Sequence, residues 1–467
     1  MRISRIGIVA ILSAAMIFGF SACEADTSVG VVKPDTPSVT LSSIAVTRTP
    51  SSSLYYVGDS LDTTGLTVTA TYSDGSSKTV SGWTVSGFSS ESVSLGTEQT
   101  LTISYTEGKV TKTAQVSGTF YVAASKAKPT EKPVKLSNSD YTGTLAGGTY
   151  YAFGDFPQTI SELDDNDYTS EPVYNGYYLG SDGYFYAKCT ENAYETGCNY
   201  SDNTTVAQID ANSTKYFKVE PIKWRVLNPN ADGNKILLTE SILTANVAYY
   251  DNVNRTIGEK TIYPNNYEYS NIRAYLNGTA NQFVTEGGTA TESDVDWSGK
   301  GFLQTAFTSS AQNLIAKTTV DNSAESTSDS TGTLTEATAY ICEDTSDKIF
   351  LLSEKEATTS DYGFTEYNVY GNGNSRIRVT TDYAKANYAY HQETTAGYGG
   401  VWRLRSPCYS NSSPSIFARY INFDGNANPS DLVGEKGGGS RFVNFRIKLT
   451  VILCFAPGVF GLKYFLF

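Results

Sequence analysis

Few residues in this chain could do nucleophilic, redox or metal chemistry. His391 is the lone histidine, which leaves little for a histidine-based triad or a His-rich metal site. Beyond Cys23 the cysteines are Cys189, Cys198, Cys342, Cys408 and Cys454, with no CxxC or other zinc spacing. Cys189 and Cys198 bracket a short polar loop and are the candidate local disulfide. Asn228-x-Asn230-x-Asp232-Gly233 has the first half of a calcium loop. Its twelfth position, where a bidentate Glu belongs, is Thr239, and the apolar strands on both sides favour a hairpin turn. Asp164, Asp165 and Asp167 read as a solvated acidic loop rather than a chelator. No two carboxylates stand out as the acid and base of glycoside hydrolysis. Trp224, Trp297 and Trp402 could stack sugars, but Trp224 and Trp402 sit in alternating strands and read as core. Arg403 and Arg405, beside Trp402, read as partners of neighbouring carboxylates. The sequence therefore assigns no catalytic residue, no metal site and no cofactor.

One stretch has the composition of a binding surface. After "WRLRSP" (402–407), an alternating strand ended by Pro407, the chain loosens into Tyr409, Ser410, Asn411, Ser412 and Ser413. Arg419, Tyr420, Asn422, Phe423, Asn426, Asn428 and Asp431 follow. Tyrosine offers rigid amphipathic area at low entropy cost, and Ser, Asn and Gly offer adaptable hydrogen bonds. Arg and Tyr are also the types enriched at binding hot spots. With 34 tyrosines in the chain, the competing reading is plain polar surface.

Several segments must position that stretch. Arg2 and Arg5, the apolar run Ile6–Phe20 and small residues up to Cys23 have a signal-peptide layout. They resemble the bacterial lipobox, which implies removal of residues 1–22 and lipidation of Cys23; the alternative is an ordinary secretory signal with a chance cysteine. The formal net charge of −13 argues against nucleic acid as a partner, since phosphate binding needs clustered Lys and Arg. Residues 23–40, with Pro34 and Pro37, read as a tether. From 41 to 122, Leu66, Val68, Ala70 and Tyr72 alternate with polar residues, Asp74-Gly75 marks a turn, and Leu101, Ile103 and Tyr105 alternate again. Short strands at this spacing indicate a small β-sandwich. Residues 123–140, rich in Lys, Pro and Ser, read as a linker. From 141 to 450 the pattern is α+β: "YYAFGDFPQT" and "EPIKWRVL…KILLTE" as strands, Ser270 capping "NIRAYLN", capping boxes at Ser309/Gln312 and Ser353/Glu356, and a short helix after Asp382.

"YYVGDSLDTTGLTVTATYSDGSSKTVSGWTVSG" resembles the bacterial immunoglobulin-like domains of surface proteins, which implies a spacer or adhesion module without an active site. In the larger segment, "FGDFPQT", "IKWRVL", "ILLTE", "NIRAYLN", "AFTSSAQNLI", "KIFLLSEKEA", "DYAKAN", "WRLRSP" and "NFDGN" occur in the order of a bacterial family of uncharacterised domains. That family resembles the C-type lectin fold of the formylglycine-generating type, and some members are similar to the variable proteins of diversity-generating retroelements. The resemblance implies a display scaffold whose C-terminal region binds a ligand. An enzyme of the cysteine-oxidising type would need Cys342 and Cys408 as its active pair. The end departs from the family: Gly439-Ser440-Arg441-Phe442-Val443 stands where members read Gly-Val-Arg-Pro-Ala. The apolar tail 451–467 carries Pro457 and glycines, which disfavour a membrane span.

The expected fold class is thus multidomain, an all-β immunoglobulin-like sandwich followed by an α+β C-type-lectin-like domain. The expected function is a lipid-anchored cell-envelope protein presenting a binding surface to an unknown protein or glycan ligand. Its rivals are a structural envelope protein with no specific ligand and a carbohydrate-active or cysteine-oxidising enzyme.

Overall fold

The alternation of Leu66, Val68, Ala70 and Tyr72 buries every second side chain on one face of the strand Thr67–Tyr72. In the computed structural model, which describes residues 38–137, 148–194, 199–206, 213–228, 233–281, 294–327, 340–364, 374–394, 397–407, 416–432 and 448–451, this strand is the centre of a three-stranded sheet with Leu41–Arg48 and Ser77–Val80. The second sheet runs in the order Leu54–Tyr56, Val110–Ala123, Ser94–Glu107, Thr84–Ser86. Between the two, Ile44, Val68, Ala70, Leu101, Ile103 and Phe120 form one cluster. The expected turn closes through Gly75, at φ 84°, whose N–H reaches the Tyr72 carbonyl at 2.9 Å.

Residues 123–140 were expected as a linker, and the described part of them is bound instead. The Ala124 N–H donates to the Gly183 carbonyl at 2.9 Å. Thr130 donates through its backbone N–H (2.7 Å) and hydroxyl (2.9 Å) to the Asp155 carboxylate. Val134–Lys135 adds a short edge strand to Tyr150–Ile160. Leu54, Tyr56, Leu95 and Tyr121 of the sandwich pack on Tyr177, Leu179, Phe185 and Ala187 around Ala123. Composition pointed to a loose chain because the partners that hold it are remote in sequence.

The C-terminal part is built on an eight-stranded sheet. Its main path runs Tyr178–Leu179, Phe185–Thr190, Thr214–Val226, Lys235–Thr239, Lys448–Val451, Ile349–Phe350, with Tyr150–Ile160 paired to Thr214–Val226. Lys448–Val451 thus fills the place of a closing strand between two others, despite the departure from the family pattern just before it. Short helices cover the sheet. Asn271–Asn277 is capped by the Ser270 hydroxyl, and Glu354–Thr358 opens with the full Ser353/Glu356 capping box. The helix Ser309–Leu314 is capped by Thr308, one residue before the expected Ser309. Phe153, Phe156, Trp224, Leu237, Phe302, Phe307, Ile349 and Leu351 make its core. A separate three-stranded sheet, Trp402–Pro407, Phe417–Ile421 and Ala427–Leu432, carries the candidate site.

Candidate functional site

The strand Trp402–Pro407 is buried at all six positions. Its alternation separates two environments. Trp402 and Leu404 join an apolar cluster with Leu238, Ile421 and Ala427, and the Trp402 indole N–H donates to the Arg376 carbonyl at 3.1 Å. Arg403 and Arg405 face aromatic neighbours, 5.6 Å from the ring centre of Tyr249 and 6.0 Å from that of Phe350. The Arg405 guanidinium donates to the Leu351 carbonyl (2.9 Å), the Asp321 carbonyl (3.1 Å) and the Glu356 carboxylate. Glu356 also accepts the Ser353 N–H at 2.9 Å, so one carboxylate closes both the helix cap and the ion pair. A buried guanidinium is tolerable only with such partners. Arg405 is therefore the partner of a carboxylate that the sequence suggests, while Arg403 is fully buried against the Tyr249 ring.

Arg419 and Tyr420, read from sequence as recognition residues, belong to the same frame. Tyr420 is 3% exposed and opposite Arg403 in the ladder. Arg419 is 6% exposed and meets the buried Glu354 carboxylate at 2.6 Å. Glu354 is the first residue of its helix, where the local backbone dipoles favour an anion, and its N–H donates to the Ser406 hydroxyl oxygen at 3.0 Å. Strand alternation turns Arg419 inward onto a carboxylate that nothing nearby in sequence announces.

Asn422, Phe423 and Asn426 are only half-buried and form the tip of the hairpin that follows. The Asn422 N–H donates to the Asn426 carbonyl (2.8 Å) and the Gly425 N–H to the Asn422 carbonyl (2.9 Å). The Asp424 carboxylate accepts from the Asn426 backbone N–H (3.0 Å) and side-chain amide (2.9 Å). From inside, the Arg376 guanidinium donates to the Gly425 carbonyl at 2.6 Å. Asn428 and Asp431 stand in the returning strand, opposite Tyr420 and Ala418. Tyr409, Ser410, Asn411, Ser412 and Ser413 lie outside the described residues.

Three tyrosines extend this tip and were not singled out in the sequence. The Phe423 ring lies 6.1 Å from Tyr390, Tyr390 lies 5.5 Å from Tyr194, and Tyr194 lies 5.3 Å from Tyr388. Tyr388 holds φ 73°, unusual for a residue with a side chain. A Cβ on Gly399 would fall 2.1 Å from the Phe423 carbonyl, so a glycine there lets the backbones approach. The Tyr388-x-Tyr390 doublet was the available local signal, but its contact with Tyr194 is visible only in three dimensions.

The groups considered for catalysis are placed differently. Burial pushes the Cys342 thiol up to about 11, far from a reactive thiolate at neutral pH. Cys189 is a free, half-buried thiol, also pushed up to about 11 by burial, and its expected disulfide partner Cys198 lies outside the described residues, as does Cys408. His391 is buried, donates from Nδ1–H to the Ala389 carbonyl (3.3 Å), and is pushed down to about 4 by desolvation. Asn228 closes a hairpin, its amide accepting the Ile236 N–H at 2.6 Å. Asp164 and Asp167 bond to each other's backbone in a turn. Trp224 is core, donating to the Phe153 carbonyl at 2.7 Å. Among the described residues no group of three His, Cys, Asp or Glu side chains could hold a metal ion.

Comparison with known families now divides the chain in two. Residues 232–453 match the family described as a domain of unknown function, DUF6273. Residues 48–118 match the bacterial Ig-like domain, group 3. The Ig-like match falls within the sandwich. The DUF6273 match contains the buried frame, the hairpin tip, Tyr388 and Tyr390, while Tyr194 and the strands before residue 232 lie outside it. No curated protein matches the chain. Among the described residues no helix is long and apolar enough to cross a membrane.

Proposed function

We propose that this is a lipid-anchored cell-envelope protein in which an Ig-like spacer carries a C-type-lectin-like domain that binds a protein or glycan ligand. The recognition surface is the hairpin tip, Asn422, Phe423, Asp424 and Asn426, with Tyr194, Tyr390 and the segment 409–413. The observation that carries this reading is the change of environment within one small sheet: a strand buried at every position supports a half-exposed tip of one aromatic and several amides. That pairing of rigid support with adaptable contacts suits recognition. It asks for no catalysis, and the elevated thiol of Cys342 gives a cysteine-based reaction little support.

A glycan and protein array probed with the soluble chain from residue 24 tests binding. The reading expects a hit that Phe423→Ala abolishes, and a blank array favours a purely structural envelope protein. Metabolic labelling with a fatty-acid analogue tests the anchor: label should be lost in Cys23→Ser. If the surface is diversified, related genomic copies will differ at adenine-containing codons within 409–431 while sparing Arg419 and Tyr420. Uniform scatter through the domain would contradict that part.

A further inference from the structure

A second concavity, of about 670 Å³, lies far in sequence from the hairpin tip, between the segment Lys126–Pro129 and the C-terminal sheet. Its size falls in the range of roughly 300–1,000 Å³ usual for small-molecule sites, and junctions between structural units are a preferred place for them. Three kinds of group line it. The rings are Tyr174 and Phe185, 5.0 Å apart, and the half-buried Tyr184. Most of the charges have partners: the Lys128 amine meets Asp59 at 2.7 Å, Lys218 meets Asp182 at 3.5 Å and sits 3.5 Å over the Tyr184 ring, Asp155 is occupied by Thr130 and Glu220 accepts from the Thr159 hydroxyl at 2.6 Å, while Lys126 stands exposed at the edge.

The third kind is neutral and polar. The Asn175 amide N–H₂ donates to the Thr305 carbonyl (3.0 Å) and that of Gln312 to the Phe307 carbonyl (2.9 Å), which leaves both amide oxygens for another donor. Thr308 spends its oxygen on capping Ala311 and keeps its O–H proton. Tyr177, 6% exposed, also lines the cleft, with its hydroxyl closed off from solvent.

We propose that this cleft binds a neutral oligosaccharide. A sugar ring offers an apolar C–H face to Tyr174 and Tyr184 and a rim of hydroxyls to Asn175, Gln312 and Thr308. A charged ligand would find Lys128 and Lys218 already paired with carboxylates, and a wholly apolar one would strand the amides. The cleft is preformed because the segment forming its wall is fixed, by the Ala124–Gly183 bond at one end and the Val134–Lys135 ladder at the other. Gly183 has φ 82°, and a Cβ on it would lie 2.8 Å from the Ala124 nitrogen, so this glycine keeps the wall in place.

The test is calorimetric titration of the full chain in detergent with neutral trisaccharides of glucose, of galactose and of N-acetylglucosamine. At least one should bind. Tyr184→Ala should weaken it at least about tenfold, the loss of one stacking contact. Ser309→Trp, at an exposed position on the rim, should block it, and Phe423→Ala should leave it unchanged. Thermal melts check that the variants stay folded. Binding by none of the three sugars, binding indifferent to both cleft variants, or binding lost only in Phe423→Ala would each overturn the proposal.

Discussion

The strand Trp402–Pro407 and the hairpin tip Asn422–Asn426 share a sheet, yet they handle polar groups in opposite ways. In the strand, Arg403 and Arg405 are withdrawn from water and held by carbonyls, rings and the Glu356 carboxylate. At the tip, Asn422, Asp424 and Asn426 bond mostly within the turn and keep part of their surface open. A buried charge fixes its surroundings because any movement strands it, whereas a turn that satisfies its own backbone tolerates exchange of its outward side chains. The same fold thus contains one segment that resists change and one that accepts it.

The sharpest way to break this contrast is at Glu354. Glu354→Ala leaves Arg419 buried beside no carboxylate and should cost about 3–5 kcal/mol in denaturant unfolding. Replacing both, Glu354→Leu with Arg419→Met, should recover most of the loss. Failure of the double variant to recover would mean that Arg419 does more than fill and balance the frame.

The next effect is set by pH. His391 keeps its neutral form down to about pH 4, while an unfolded-state histidine takes up a proton near 6.5. Between these values the unfolded chain binds more protons, so stability falls as pH is lowered from about 6.5 to about 4 and is unaffected by this group above that window. The fall should reach about 3 kcal/mol at most and should shrink in His391→Gln, measured by urea unfolding across pH.

Gly399→Ala comes third, at about 1–3 kcal/mol, since its Cβ collides with the Phe423 carbonyl; it should displace the tip without touching the arginine frame. Smallest is Phe423→Ala, expected within about 1 kcal/mol of the parent because the ring is only half-buried. A larger loss would move Phe423 from the presented face into the core.

What the sequence revealed follows the range of the interactions. The Tyr72 strand, its Asp74-Gly75 turn and the Ser353/Glu356 capping box are legible because signal and partner lie within a few residues. Adjacent hydroxyl residues blur such signals by one position, hence Thr308 in place of Ser309. Trp402, Leu404, Arg403 and Arg405 are legible as scaffold from alternation alone. Arg419 and Tyr420 misled because hot-spot chemistry and buried bracing use the same residue types, and only the contact with Glu354 tells them apart. The binding of residues 124–135 was hidden for a similar reason, since Thr130 and Val134 find Asp155 and Ala152 across the fold.

The most direct measurement is saturation mutagenesis of residues 402–432 in the displayed chain, sorted for folded protein by protease resistance. The account predicts strong intolerance at Trp402, Arg403, Leu404, Arg405, Arg419 and Tyr420, with broad tolerance at 409–413, Asn422 and Phe423. Equal intolerance across both groups, or free replacement of Arg405 and Arg419, would contradict the division between frame and presented face.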